Sequence, residues 1–450
     1  MHRRRPVIHT PKDAWVVDVN MGYGHSRAAH SLRDLSGGHV LSANDYAGIP
    51  DRDLSYWKKS RQLYEFVSRL QPIPVIGKAA FHLMDTVQKI PDFYPRRDLS
   101  HPNLQVKQIY TAIHHGFGRH LIEKLRETPV PLVTTFFATA FMADFFDYPG
   151  DIYCVTTDAD ISRAWVPLDP KKSRIRYFAS NGRVVERLQL YGVPASRIFL
   201  TGFPLPKELI GGYDAETLKN LLMSRICNLD PKGIFVERYQ HALLPELGSN
   251  RCQQKTAAHP LTITYSVGGA GAQRQLGIDI LHSLRHRIAR HEVRLNLVAG
   301  VRPDVAEIFH EAVKKRGLIK ELGEWVRVPV FHDRARYFEG FTELLKTTDI
   351  LWTKPSELSF YTGLGLPVIA ATPIGSQEEF NRVWLQYTGG GFPQVDPKFT
   401  SEWLFDWIAS GGVARMAWNG YMEAPTHGTY RIEDMIFGRS GRIRDLPMIV

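Results

Sequence analysis

Apolar positions along the chain fall into short runs separated by glycine, proline and polar residues, and between the runs they recur at helical spacing. The run Ala14-Trp-Val-Val-Asp-Val-Asn20 reads as a buried strand that enters the turn Met21-Gly-Tyr-Gly-His25. Ala28, Ala29, Leu32 and Leu35 then share one helical face, so the segment is strand, glycine turn and helix, half of a βαβ unit. Further strands are expected over 132–136, 152–157, 176–179 and 198–201, with helices over 109–126 and 182–191. A less regular stretch, 211–260, follows. The same design then restarts with a strand at 261–265, glycines at 268, 269 and 271, and a helix over 273–290. Strands at 294–298, 326–330, 350–353 and 367–371 alternate with helices at 304–316 and 342–346. Alternation of this kind predicts an α/β fold with parallel, doubly wound sheets.

The expected organisation is an N-terminal Rossmann-like domain over 1–205, a linker and insertion over 206–260, and a C-terminal Rossmann-like domain over 261–450 whose last residues pack back on the first. Within the linker, 232–256 reads as a surface excursion because of the polar run Asn250-Arg-Cys-Gln-Gln-Lys255. The segment 55–94 fits neither series. Tyr56, Leu63, Phe66, Val67 and Leu70 share roughly one helical face while Lys58, Lys59, Arg61 and Arg69 lie elsewhere, a basic amphipathic pattern. Two readings stand for it: a stripe packed on the N-terminal sheet, or a surface that rests on anionic lipid.

A length of 450 residues fits two or three units, and the 44% apolar and 23% charged content is that of a folded globular chain. Cys154, Cys227 and Cys252 are too few and scattered for a disulfide framework or a thiolate zinc site, and they favour a reducing compartment. Without a bilayer-length apolar stretch or a signal-peptide pattern, the expectation is a cytoplasmic protein, soluble or peripheral on the inner face of the membrane. The net charge of +10 implies attraction to something acidic, which lipid, nucleotide phosphate or nucleic acid would satisfy. The basic residues are dispersed and no recognition module is present, so nucleic acid is the weakest of these.

Three stretches carry candidate chemistry. Gly22 and Gly24 at the first strand-to-helix junction allow close approach of a ligand, and His25 in the first helical turn is of the residue type that takes a proton from a hydroxyl near neutral pH. A structural histidine capping the turn is the alternative. Ser266-Val-Gly-Gly-Ala-Gly271 occupies the equivalent turn of the second series, where backbone N–H groups would cradle a diphosphate. The spacing lacks the dinucleotide fingerprint, which argues against NAD. The third stretch runs from Thr348 to Leu358, with Lys354, Ser356 and Glu357 between a strand and a helix start, followed by Gly365-Leu-Pro367 and by Gln377, Glu378 and Asn381.

With these motifs in register, the sequence resembles the glycosyltransferases of GT-B fold that include monogalactosyldiacylglycerol synthase and the peptidoglycan enzyme that adds N-acetylglucosamine to a lipid intermediate. The family's Gly-x-Gly-His turn is matched by Gly22 to His25 and its Thr-Asp element by Thr157-Asp158. The segment that closes its N-terminal domain is similar to Ser180 to Leu205, its glycine loop to Gly268 to Gly271, and its donor segment to Thr353-Lys354, Gly365-Leu-Pro367, Gln377-Glu378 and Asn381. Pro355-Ser-Glu357 departs from the glycines usual after the lysine, and Ile161-Ser-Arg-Ala-Trp165 departs from the family's pattern after Thr-Asp.

The resemblance implies two Rossmann-like domains facing across a cleft and a nucleotide-diphosphate sugar, UDP-linked, as co-substrate. It implies no essential metal and no cofactor. Gly268, Gly269 and Gly271 would hold the diphosphate with Lys354 adding charge. Ser356, Glu357, Gln377, Glu378 and Asn381 would contact the rest of the donor, and His25 or Asp158 would act on the acceptor hydroxyl of a lipid or glycan, with inversion. Anionic membrane is a candidate partner. The competing expectations are a sugar-nucleotide epimerase or phosphorylase on the same fold, and a nucleotide-sugar-binding protein without catalysis.

Overall fold

A computed structural model describes residues 8–59, 90–254, 256–268, 271, 273–373 and 375–439. The chain divides into two compact units, the first made of Met1–Pro204, Ile374–Phe380 and His427–Val450, the second of Leu205–Pro373 and Asn381–Thr426.

The first unit is built on a parallel sheet of β1 (Trp15–Asp18), β2 (Leu41–Ser42), β3 (Leu132–Thr134), β4 (Ile152–Val155), β5 (Arg176–Ala179) and β6 (Ile198–Leu200), in the order β2-β1-β3-β4-β5-β6. Register is set with Val17 opposite Leu41 on one side and Thr134 on the other. Both faces are covered, which is why these strands are apolar at almost every position instead of alternating. Trp15, Val17, Leu132, Ile152, Cys154 and Tyr177 enter one core. Val16, Val133, Tyr153, Val155 and Phe178 enter the opposite one, where Ile432 of the helix Gly428–Ile436 joins them. Gly428 lies directly on the backbone of Phe203, so closely that any β-carbon would run into the Phe203 carbonyl. Glycine is what lets this last described helix pack there.

The second unit repeats the plan with β7 (Thr262–Ser266), β8 (Arg294–Val298), β9 (Val326–Arg327), β10 (Ile350–Thr353), β11 (Val368–Ala370) and β12 (Gly391–Pro393). The parallel order is β12-β11-β10-β7-β8-β9, which is the strand order of a dinucleotide-binding sheet. The α/β class with two doubly wound parallel sheets therefore holds. In each sheet the chain reverses direction of travel across the sheet at one place, between β1 and β3 and between β7 and β10. Ligands of open α/β sheets bind outside the carboxyl ends of the strands at that reversal.

Several local expectations are corrected. The helix expected over 109–126 is two helices, Leu104–His114 and Arg119–Arg126, broken where Gly116 and Gly118 take φ of +89° and +82°. The helix expected at 342–346 begins earlier, as Arg334–Leu345, because the Asp333 side chain accepts from the Arg336 N–H at 2.9 Å and starts the helix there. The stretch 206–260, read as linker and excursion, holds the helices Glu216–Leu229 and Ile234–Leu247, and Leu222, Ile226, Leu229, Phe235, Leu243 and Leu247 are buried in the second core. Residues 51–59 are helical and Trp57 is buried, whereas residues 60–89 of the basic amphipathic segment lie outside the described residues. Among the described residues no helix is long and apolar enough to cross a membrane.

At the amino end of β7 and β10 a buried polar cluster ties the second unit together. Arg225 donates to the carbonyls of Thr348, Leu364 and Leu345 at 2.8, 2.6 and 3.0 Å. Asp349, fully buried, accepts from the Thr262 N–H and from Asn228 at 2.7 and 3.0 Å, and burial pushes its carboxyl well above the usual range. His259 donates to the Pro260 carbonyl at 3.0 Å, yet burial, reinforced by the charges of Arg225 and Arg294, holds its pKa below 6.5. The Asp349 carboxyl 3.7 Å away does not reverse this, because burial drives that group toward its neutral form. The unfolded chain thus binds a proton at His259 that the folded chain resists, so this group contributes stability that is lost as pH falls below 6.5. His259→Gln is expected to flatten the stability–pH curve between about pH 5 and pH 7, read by urea titration, and an unchanged slope would remove His259 as its source.

Candidate functional site

The sequence candidates settle at the carboxyl ends of the two sheets. In the first unit the chain leaves β1 through Gly22, whose φ of +113° demands glycine although nothing crowds it. The helix Gly24–Ser31 then begins with no acidic residue in its first turn and no side-chain cap, and it carries His25 in that turn. The His25 Nδ1 lies 2.7 Å from the carbonyl oxygen of Thr135 and 3.3 Å from the hydroxyl of Thr157. Thr135 in turn donates its hydroxyl to the His25 carbonyl at 3.0 Å. The imidazole stands perpendicular to Phe136 at 5.0 Å and tilted to Trp165 at 6.0 Å. Three strand ends, those of β1, β3 and β4, thereby converge on one ring.

Asp158 follows Thr157, is half-buried, and has its backbone carbonyl held by the Ser180 hydroxyl at 2.7 Å. Two residues on, Asp160 receives Arg187 through two bonds of 2.8 and 2.7 Å, both side chains essentially without solvent. Burial pushes the Asp160 carboxyl up and the guanidinium pulls against it; two parallel N–H···O contacts are the geometry of an ionised pair. This pair, together with the Asn181 amide on the Ala159 carbonyl at 3.0 Å, fixes the loop that presents Asp158.

In the second unit β7 ends at Ser266 and the chain turns tightly, the Gly271 N–H donating to the Gly268 carbonyl at 2.8 Å with Gly271 at φ +69°. Gly269 lies outside the described residues. The helix Arg274–Ala289 follows, anchored at its start by Gln273, which donates to the Thr372 carbonyl at 3.0 Å just beyond β11. β10 ends at Thr353, and the next residue, Lys354, runs its side chain over Gly268: a β-carbon there would sit 3.1 Å from the lysine Cε and 3.2 Å from Cδ. The reversal between β7 and β10 thus brings together the glycine turn and the lysine, two motifs 86 positions apart in sequence.

Ser356, in extended conformation, opens the short 3-10 helix Glu357–Leu364, and Glu357 is 7% exposed. Gln377 and Glu378, half-buried in the first turn of the helix Ser376–Tyr387, group with the first unit, whereas Asn381, buried one turn later, groups with the second. Gln377 and Glu378 are therefore not in the unit that holds Lys354 and Glu357. Sequence reasoning missed Thr135 and Arg302. The first follows an expected strand end, and strand ends at a reversal are where such residues gather. The second has its guanidinium 3.5 Å from where a Gly271 β-carbon would lie and pairs with Asp304 at 2.9 Å. Among the described residues, no three metal-ligating side chains cluster as a metal site.

No family model and no curated protein matches the chain. Among solved structures, the S. aureus MnaA–UDP co-structure matches at 10% identity over 96% of each chain with a TM-score of 0.44. The UDP-GlcNAc 2-epimerase from Neisseria meningitidis bound to UDP-GlcNAc matches at 12% identity, covering 81% of this chain and 90% of that one, with a TM-score of 0.43. Acinetobacter baumannii MurG matches at 12% identity, covering 74% and 78%, with a TM-score of 0.39.

Asp160→Asn leaves the Arg187 charge buried with a weakened partner. It is expected to destabilise the first unit by about 3–5 kcal/mol, measured as a lowered urea midpoint; a midpoint equal to that of the parent would show that the pair does not hold the loop.

Proposed function

We propose that the protein is a glycosyltransferase that moves a sugar from a nucleoside-diphosphate sugar to an acceptor hydroxyl. The observation that carries the reading is the side chain of Lys354 lying over Gly268 at the strand reversal of the second sheet. A glycine turn, a helix amino terminus and a lysine at that point form a site for a diphosphate, since backbone N–H groups, the helix dipole and the ammonium all favour negative charge. The resemblance of the donor segment implies uridine as the base and inversion as the stereochemical course. Glu357, near the same strand end, would take ribose hydroxyls in place of the family's carboxylate.

In the reaction so proposed, the acceptor oxygen forms a bond to the anomeric carbon as the bond from that carbon to the diphosphate oxygen breaks. The electron pair leaves with the nucleoside diphosphate, and the acceptor proton passes to His25 or Asp158. The charge gathering on the departing diphosphate is met by the Gly268 turn and Lys354. The acceptor is a lipid or glycan hydroxyl, and the place of action is the cytoplasm or the inner membrane face.

A thermal-shift panel of nucleoside diphosphates and sugar nucleotides tests the donor half. A ligand at one hundred times its Kd stabilises the fold by about 2.7 kcal/mol, so uridine ligands are expected to raise the midpoint by several degrees, and no shift with any member would sink the reading. Gly268→Ala, which forces Lys354 aside, is expected to weaken the best ligand about tenfold without changing the midpoint of the ligand-free protein; undiminished affinity would remove the Gly268–Lys354 contact from the site. Conversion of the sugar nucleotide to its epimer with no acceptor present would replace transfer by epimerisation. Binding without turnover on any acceptor, or turnover that survives both His25→Ala and Asp158→Ala, would overturn the assigned chemistry.

A further inference from the structure

Thr135, the residue after β3, touches His25 twice. Its carbonyl oxygen lies 2.7 Å from the ring Nδ1, and a carbonyl only accepts, so Nδ1 must be the nitrogen that carries the proton. A neutral imidazole holds a single proton, which leaves Nε2 as its basic atom. The Thr135 hydroxyl donates to the His25 main-chain carbonyl at 3.0 Å, so the same residue orients the ring and steadies the helical turn from which the ring projects. The Thr157 hydroxyl, 3.3 Å from Nδ1, reinforces the arrangement as a second acceptor, and Phe136 and Trp165 flank the imidazole. A buried carboxylate does this work in many histidine-dependent enzymes; here a main-chain carbonyl does it without bringing a charge.

From this geometry we infer that Thr135 is a positioning residue, holding His25 as the Nδ1–H tautomer so that Nε2 is the atom that takes the acceptor proton. The inference rests on the transferase reading and narrows its choice between His25 and Asp158 to His25.

Two measurements test it. Nitrogen NMR of the full chain labelled at histidine, with the His25 signals assigned by their loss in His25→Gln, reports which ring nitrogen is protonated in the neutral form. Protonated Nδ1 is expected, and protonated Nε2 would overturn the inference whether or not the protein transfers sugar. In turnover, Thr135→Val is expected to lower kcat about 10- to 100-fold with donor KM unchanged, and Thr135→Ser, which keeps the hydroxyl, to stay within about twofold of the parent. Both variants keep the main-chain carbonyl that sets the tautomer, so the pair reads the hydroxyl's hold on the His25 turn; equal loss in both variants, or loss in neither, would overturn the hydroxyl's part in the positioning. If no donor and acceptor pair turns over at all, the functional reading fails while the NMR result still decides the tautomer.

Discussion

Parallel strands covered on both faces can offer a ligand only their ends, and this constraint organises the chemistry of both halves of the chain. With Val17, Leu132 and Ile152 filling one side of the first sheet and Val16, Val133 and Tyr153 the other, no face is left for function. Polar side chains collect instead where β1, β3 and β4 stop, at His25, Thr135, Thr157 and Asp158. The second sheet behaves alike, with Gly268 and Lys354 at the ends of β7 and β10. A reversal of strand order opens the backbone at those ends, since successive crossover helices leave toward opposite sides, and the turn there needs residues without bulk.

Two deeper polar clusters are bound into the framework. Arg225 spends its guanidinium on three main-chain carbonyls, one of them at the end of the helix Arg334–Leu345, where the helix has no partner of its own to offer. Arg187 and Asp160 neutralise each other beside the aromatic ring of Phe93, 5.0 Å from the guanidinium. These groups cost desolvation on folding and return it as fixed geometry. The Arg187 pair shapes the loop around Asp158, and the Arg225 cluster locks the helix Glu216–Leu229 to the amino ends of β7 and β10.

The strand centres were legible in the sequence because burial on both faces imposes a continuous apolar run, a local signal: 176–179, 294–298 and 350–353 coincide with β5, β8 and β10 residue for residue. β2 and β12, of two and three residues, are too short to carry any periodicity and exist because a neighbouring strand supplies their hydrogen bonds. The helix Ile234–Leu247 was hidden for a different reason. Its apolar stripe is interrupted by Glu237, Arg238 and Gln240 and contains Pro245, so only its packing against the second core shows which side is inward.

By itself the chain's order of residues determined the alternation of strand and helix, the two glycine turns and the residue types able to move a proton or neutralise phosphate, because each of these is encoded over a few neighbouring positions. Tertiary structure alone decided the partners. The Thr135 carbonyl that selects the His25 tautomer lies 110 residues from it, and the lysine laid over Gly268 follows a strand three further along the chain. Such pairings follow from which strands become neighbours in a sheet, a property of long-range packing that no local window of sequence contains.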